Sequence, residues 1–202
     1  RRRLGTGCAA FLLALLALGS KEIAIVLPVL AALLAVLHWR RHPETFSVGH
    51  SLWLLAGGAA VIACVGLLYE AELRRGFASL LADRGLAPQP ALTFLVLAHY
   101  LGKMIWPQTL QADYRPFGFT LPEASLDGPS LLAAFFLIVW VVSGLWLLWR
   151  GRVAGVGLLW ALVALLPVGQ LLPYGELIAE HNSYLPLVGF SLVVGDGFQA
   201  LR

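Results

Sequence analysis

The sequence predicts an all-α fold, a polytopic transmembrane helix bundle of about six spans with one external interfacial or re-entrant helix. Apolar residues fill 59% of the 202 positions and charged residues only 12%, whereas soluble domains average about 45–50% and 25%. The mean hydropathy is +0.82. The 21 Gly, 11 Pro and 7 Trp are typical of helices that cross a membrane and end at its interfaces. Together these values argue against an ordinary soluble enzyme and make the lipid bilayer the first expected partner.

Charge and cysteine content narrow the function classes further. The net charge of +3 is a small surplus over 202 residues, so it does not indicate a nucleic-acid partner. The two cysteines, Cys8 and Cys64, both lie in apolar runs. We therefore expect neither a disulfide framework nor a zinc site.

Six apolar runs are predicted to span the bilayer. In chain order they cover about 4–18, 23–37, 51–69, 130–149, 153–172 and 184–201. The first run reaches only about 22 Å as a helix, which is short for a hydrocarbon core of about 30 Å. It can still span if the arginine side chains of residues 1–3 extend to the membrane interface, or it is the remnant of a longer helix. Residues 1–202 are thus expected to form a single membrane domain, and the start at Arg1 without Met indicates a piece of a longer chain.

Two external segments are predicted between these spans, at 70–129 and 174–183. Residues 70–90 form the most charged stretch and have apolar residues at helical spacing, which predicts an extramembrane or interfacial helix. Residues 91–106 are apolar but are interrupted by His99 and Lys103. Residues 107–129 contain several Pro and polar residues and are predicted to be a loop.

The positive-inside rule orients the bundle. Eight of the 14 basic residues fall on one side, which is then cytoplasmic, at positions 1–3, 40, 41, 150, 152 and 202. Nine of the 11 acidic residues fall on the other side, the exceptions being Glu44 and Asp196. Since 70–90 and 107–129 both lie outside, 91–106 cannot cross and is predicted to be a re-entrant or interfacial helix.

Three polar breaks on the external side hold the candidate binding residues. Lys21 and Glu22 form either a plain hairpin turn or a site in which Lys21 meets a phosphate and Glu22 holds the lysine in place. Asp113 and Arg115 form either a solvated pair or a clamp on a polar ligand at the mouth of the bundle. Glu180 and His181 are either a structural pair or a proton-transfer or phosphate-orienting pair. A metal site is not predicted, because a second imidazole is missing near His181.

Three segments resemble, in order and spacing, one known membrane domain. They read SKEIAIVLP at 20–28, KMIWPQTLQADY at 103–114 and LLPVGQLLPYGELIAEHNSYLPLVGF at 165–190. The sequence resembles the transmembrane and tetratricopeptide-repeat O-mannosyltransferases and their bacterial relatives, which are GT-C glycosyltransferases. Where the family reads roughly A-E-R-Y-L-Y-L-P-S-x-G-F, this chain has His181 in place of Arg and Asn182-Ser183 in place of an aromatic-aliphatic pair.

The resemblance implies the C-terminal part of a transferase domain that moves a hexose from a polyprenyl-phosphate donor to a protein or glycan acceptor. It implies that the catalytic carboxylate lies upstream of residue 1 and that tetratricopeptide repeats follow residue 202. The lipid-linked sugar is then a substrate, and no cofactor is implied. Phosphate-binding candidates are Lys21, Arg74, Arg75, Arg115 and His181, with Glu22 and Glu180 orienting them and Asp113 as a further ligand contact. The expected location is a bacterial inner membrane, with the site facing the periplasm.

Two alternatives remain open. A non-enzymatic scaffold could anchor tetratricopeptide repeats for envelope assembly, in which case the acidic motif of the family would be absent. A transporter would place charges at mid-membrane and carry repeat symmetry. The charges of this sequence cluster at one face instead, so transport ranks third.

Overall fold

The described part of the chain is helical throughout. The computed structural model describes residues 12–14, 16–17, 22–45, 90–108, 127–171 and 178–202, and these ranges contain no β-strand. Their α-helices are α1 (Leu27–Arg41), α2 (Pro90–Ile105), α3 (Gly128–Trp149), α4 (Val153–Leu165) and α5 (Tyr184–Ala200). Short 3-10 helices cover Glu22–Val26, Pro43–Thr45, Leu166–Val168 and Glu180–Ser183. The all-α fold class is confirmed.

Two helical segments are long and apolar enough to cross a membrane. They are Ala24–Arg41 and Gly128–Trp149, with mean hydropathies of 1.6 and 2.6. The 22 residues of α3 reach about 33 Å, which matches a hydrocarbon core of about 30 Å. Only 28% of the α3 window is buried, so most of its apolar surface faces away from the protein. Helices Pro90–Ile105 and Val153–Val168 are apolar but shorter, and the count of about six spans stays a prediction.

Helices α3, α4 and α5 form an antiparallel layer. Asp127 starts α3 as its N-cap and accepts a hydrogen bond from the backbone N–H of Ser130. The turn Arg150-Gly151 reverses the chain into α4, with Gly151 at φ 69°, a value that glycine adopts without strain. Helices α4 and α5 cross closely, because a Cβ on Gly157 would lie 2.5 Å from the carbonyl oxygen of Gly189. The small residues at this crossing allow the two backbones to approach each other.

The helix bounds in the described residues differ from two of the predicted spans. The run at 23–37 continues to Arg41, since Arg40 and Arg41 in the last turn donate hydrogen bonds to the carbonyls of Trp149 and Gly151. Cations also interact favourably with the C-terminal end of a helix. The run at 153–172 is not one helix: α4 ends at Leu165 and a 3-10 helix ends at Val168. The physical reason is Pro167, which has no N–H to donate to the carbonyl four residues earlier and so interrupts the α-helical hydrogen bonds.

Helix α2 lies at the end of the bundle where α4 finishes. The hydroxyl of Thr93 donates a hydrogen bond to the carbonyl of Gln170 over 3.0 Å. The hydroxyl of Tyr100 donates one to the carbonyl of Ala179. Its buried side chains join those of α3 and α4 in the main core, around Val96, Leu101 and Leu165. This end of the bundle is called the α2 end below. The opposite end, where Arg40 and Arg41 meet the α3–α4 turn, is called the arginine end.

Several sequence-based predictions lie outside the described residues. These are the span at 51–69, most of the span at 4–18, the charged helix at 70–90 and most of the loop at 107–129. Within the described part, the 3-10 helix Glu22–Val26 packs against Leu166–Val168. The backbone of Glu22 therefore begins an element at the α2 end.

Candidate functional site

One buried tyrosine holds the short turn that carries the candidate residues. The hydroxyl of Tyr100 accepts a hydrogen bond from the N–H of Ala179 over 2.8 Å and donates one to its carbonyl over 3.2 Å. Tyr100 is only 2% exposed. A tyrosine hydroxyl can donate and accept at once, so it satisfies both backbone groups of a buried residue. The 3-10 helix Glu180–Ser183 follows directly.

Two polar side chains of α2 share a helix face near this turn. His99 and Lys103 are four residues apart in α2, and residues at that spacing are neighbours on a helix surface. Burial lowers the pKa of the His99 imidazole and the Lys103 ammonium lowers it further, while the Glu180 carboxylate opposes both. These influences place Glu180 within electrostatic range of His99. Since the ordinary value is about 6.5, His99 is neutral at pH 7 and Lys103 supplies the positive charge.

The turn also carries two buried polar atoms with no hydrogen-bond partner. They are Oδ1 of Asn182 and Oγ of Ser183, and neither has a partner within the described ranges. Asn182 is 1% exposed and Ser183 is 8% exposed. An unsatisfied buried polar group costs about 1–3 kcal/mol, so such atoms call for an explanation.

The local sequence explains why Ser183 is left without a partner. Ser183 is the N-cap of α5, yet it makes no side-chain cap. An N-cap serine ordinarily accepts a hydrogen bond from the N–H of the second or third helical residue. The backbone of Ser183 is helical, with φ −82° and ψ −15°, rather than extended as in an ordinary N-cap. In addition, the third residue of α5 is Pro186, which has no N–H. The serine hydroxyl and the asparagine carbonyl therefore keep unused hydrogen-bonding capacity at a buried position.

The structure brings together only part of the predicted site. Glu180 and His181 lie on the same turn, where Glu180 is half-buried and His181 is exposed. The remaining side chains that the sequence predicts in the site lie outside the described residues, namely those of Lys21, Glu22, Arg74, Arg75, Asp113 and Arg115. Their proposed meeting with Glu180 stays a prediction.

Four site residues were not predicted as such from the sequence. His99 and Lys103 interrupt an apolar run in the sequence, and their spacing of four residues within a helix indicates a shared face. Asn182 and Ser183 were noted as departures from the family pattern. The sequence feature that could have indicated them is a pair of polar residues directly before an apolar helix with a proline in its first turn. These four residues and Glu180 are called the turn cluster below.

The turn cluster combines one cationic group with uncharged hydrogen-bonding groups. Lys103 offers an ammonium, His99 a neutral ring nitrogen, and Asn182 and Ser183 uncharged oxygen atoms. Lys103 also donates to the carbonyl of Gln108, just beyond the end of α2. No group of three or more metal-ligating side chains occurs among the residues whose positions the structure gives. The arrangement therefore favours binding of an anion and of hydroxyl groups.

Comparisons with protein-family models, with curated proteins and with solved structures give no match to this chain.

Proposed function

We propose that this chain is part of the membrane domain of a GT-C-like glycosyltransferase, which transfers a hexose from a polyprenyl-phosphate donor to a protein or glycan acceptor. The observation that carries the proposal is the pair of buried, unpartnered oxygen atoms on Asn182 and Ser183 beside the His99–Lys103 face. The three resembling segments supply the reaction class. The polyprenyl chain of such a donor requires an apolar surface next to the polar site, and α3 exposes one.

Each member of the turn cluster has a distinct role in this proposal. The Lys103 ammonium attracts the donor phosphate, since charge-assisted hydrogen bonds are about twice as strong as neutral ones. Glu180, which lies within electrostatic range of His99, orients the polar groups of this face. Asn182 Oδ1 accepts a hydrogen bond from a hydroxyl group of the sugar, and Ser183 Oγ can donate or accept. The carboxylate that activates the acceptor hydroxyl is not among these residues.

The distribution of charge supports the proposed orientation. Arg40, Arg41, Arg150 and Arg152 lie at the arginine end, away from the turn cluster. Under the positive-inside rule this end is cytoplasmic. The turn cluster would then face the non-cytoplasmic side, which is the periplasm if the protein is a multi-pass protein of a bacterial inner membrane.

Donor binding tests the proposal without requiring activity of the chain alone. The purified protein in detergent is titrated with a polyprenyl-phosphate hexose, and bound donor is measured by native mass spectrometry. Asn182→Leu and Ser183→Ala are each expected to weaken binding about tenfold, the effect of losing one buried hydrogen bond. Ser191→Ala is the matched control, because Ser191 is in α5 but bonds to the carbonyl of Leu187.

A second pair of variants tests the charged residues. Lys103→Gln is expected to weaken binding of the donor and also of polyprenyl phosphate without a sugar. Glu180→Gln is also expected to weaken donor binding. Glu44→Gln is its control, because Glu44 is exposed and pairs with His42. If folded variants of the turn cluster bind the donor as well as the parent does, the transferase proposal is wrong. The membrane scaffold for tetratricopeptide repeats then becomes the better hypothesis.

A further inference from the structure

The arginine end has a structure of its own, remote from the turn cluster. The guanidinium of Arg40 donates to the carbonyl of Trp149, and that of Arg41 donates to the carbonyl of Gly151 over 2.8 Å. These two carbonyls lie at the end of α3 and in the α3–α4 turn, where helical partners are lacking. The last turn of α1 is thereby fixed against the turn that joins α3 to α4.

A salt bridge joins α4 and α5 at the same end. The Nε atom of Arg152 donates to Oδ2 of Asp196 over 2.9 Å. The side chain of Asp196 is 6% exposed, whereas that of Arg152 is 44% exposed. Asp196 is thus a buried carboxylate that needs its cation, while Arg152 keeps part of its guanidinium at the surface.

A shallow concavity of about 220 Å³ lies between these elements. It is lined by Arg41, Arg152, Asp196, Gln199 and Ala200. Two guanidinium groups and one carboxylate give this lining a net positive charge. Arg41 uses its Nε on Gly151, and its two terminal nitrogen atoms make no hydrogen bond or ion pair within the described ranges. An arginine fork with free terminal donors is suited to the oxygen atoms of a phosphate.

Exposed tryptophans place this concavity at the level expected for lipid headgroups. Trp39, Trp146 and Trp149 are 41%, 55% and 67% exposed. The guanidinium of Arg40 lies 4.3 Å from the ring centre of Trp149, and that of Arg150 lies 4.8 Å from that of Trp146. Tryptophan and arginine gather where a membrane span meets the headgroup region. Helix α3, the more apolar of the two candidate spans, ends here.

We propose that the concavity at the arginine end binds the phosphate of an anionic glycerophospholipid headgroup, of the phosphatidylglycerol type. The terminal nitrogen atoms of Arg41 and the exposed part of Arg152 contact the phosphate oxygens. Hydroxyl groups of the headgroup donate to the side-chain oxygens of Asp196 or Gln199. The site is independent of the turn cluster and of any transferase activity. It anchors the cytoplasmic end of the bundle to anionic lipids.

Lipid titration of the purified full chain tests this site. The protein in neutral detergent is titrated with phosphatidylglycerol or with phosphatidylcholine, and bound lipid is counted by native mass spectrometry. The parent is expected to prefer phosphatidylglycerol. Arg41→Gln is expected to lower that affinity about tenfold, the effect of losing a hydrogen bond to a charged group. Arg150→Gln is the matched control, because it removes the same charge from the same end but does not line the concavity.

A third variant is expected to act in the opposite direction. Asp196→Asn keeps a hydrogen-bonding side chain beside Arg152 but removes the charge that repels phosphate, so phosphatidylglycerol should bind more tightly. Helical content and thermal unfolding show which variants are folded, and if Asp196→Asn is not, the Arg41 and Arg150 comparison decides. Equal losses in Arg41→Gln and Arg150→Gln, or no lipid preference in the parent, overturn the proposal. Inorganic phosphate that displaces the lipid at equal concentration would indicate a site for free phosphate and overturn the lipid assignment.

Discussion

The hydroxyl of Tyr100 makes hydrogen bonds to both backbone groups of Ala179, a residue 79 positions further along the chain. One side-chain atom of α2 thereby fixes the turn that begins at Glu180. The position of Glu180, Asn182 and Ser183 relative to His99 depends on this link. Two turns earlier in α2, Thr93 donates a hydrogen bond to the carbonyl of Gln170, so α2 holds the chain both before and after residues 172–177.

Tyr100→Phe is expected to destabilise the protein by about 1–3 kcal/mol, because it leaves the buried N–H and carbonyl of Ala179 without partners. Thermal unfolding in detergent measures the loss. Tyr184→Phe serves as the control, since Tyr184 is 52% exposed and water can replace its hydrogen bonds. Equal stability of Tyr100→Phe and the parent would show that the link to Ala179 is not important for the fold.

Gly157→Ala is expected to destabilise the packing of α4 on α5 by about 1–3 kcal/mol, the usual effect of overpacking. The added Cβ would lie 2.5 Å from the carbonyl oxygen of Gly189, a backbone atom that cannot rotate away. Gly195→Ala in α5 is the matched control, because nothing lies within 4 Å of its Cβ position. That control is expected to gain helix propensity, worth up to about 1 kcal/mol. Unchanged stability of Gly157→Ala would contradict the close crossing.

The stability of the protein is expected to fall as the pH decreases from 7 through about 6.5, owing to His99. Its pKa is lowered in the folded protein by burial and by Lys103, with Glu180 acting in the opposite direction. The unfolded chain therefore binds this proton first, and the effect levels off below the folded pKa. A single such group contributes at most about 1.4 kcal/mol per pH unit.

His99→Gln should flatten this part of the pH profile, whereas His42→Gln should leave it in place because His42 is exposed. Thermal unfolding between pH 5 and 8 makes the comparison. A profile of His99→Gln that parallels the parent would assign the pH dependence to other groups.

The two ends of the bundle are expected to lie on opposite sides of the membrane. Gln108 and Gln199 are both exposed, one at the α2 end and one at the arginine end. Each is replaced by Cys after Cys8 and Cys64 have been changed to Ala. A membrane-impermeant maleimide applied to spheroplasts should label position 108 at once, and position 199 only after permeabilisation. Labelling of both positions from the outside would contradict the proposed orientation.

Local sequence is sufficient for the fold class and for most helix positions among the residues that the structure describes. The runs at 130–149 and 184–201 predict α3 and α5 to within two residues. The reason is that helix hydrogen bonds are local and that long apolar runs favour helices. The helix bounds differ from the predicted runs at two places. Pro167 ends α4 before 172, and the arginines that were expected to follow α1 lie within its last turn.

The sequence predicts only part of the candidate site, because the residues of the site come from distant segments of the chain. Glu180 was predicted from its polar surroundings, but its nearness to His99 requires α2 to lie across the end of α4. The role of Asn182 and Ser183 depends on burial, which no run of residues reveals. Composition and hydropathy specify that these helices form, since each helix satisfies its own backbone. Which helices meet, and hence the pairs Tyr100–Ala179 and Arg152–Asp196, depends on packing between side chains that are far apart in sequence.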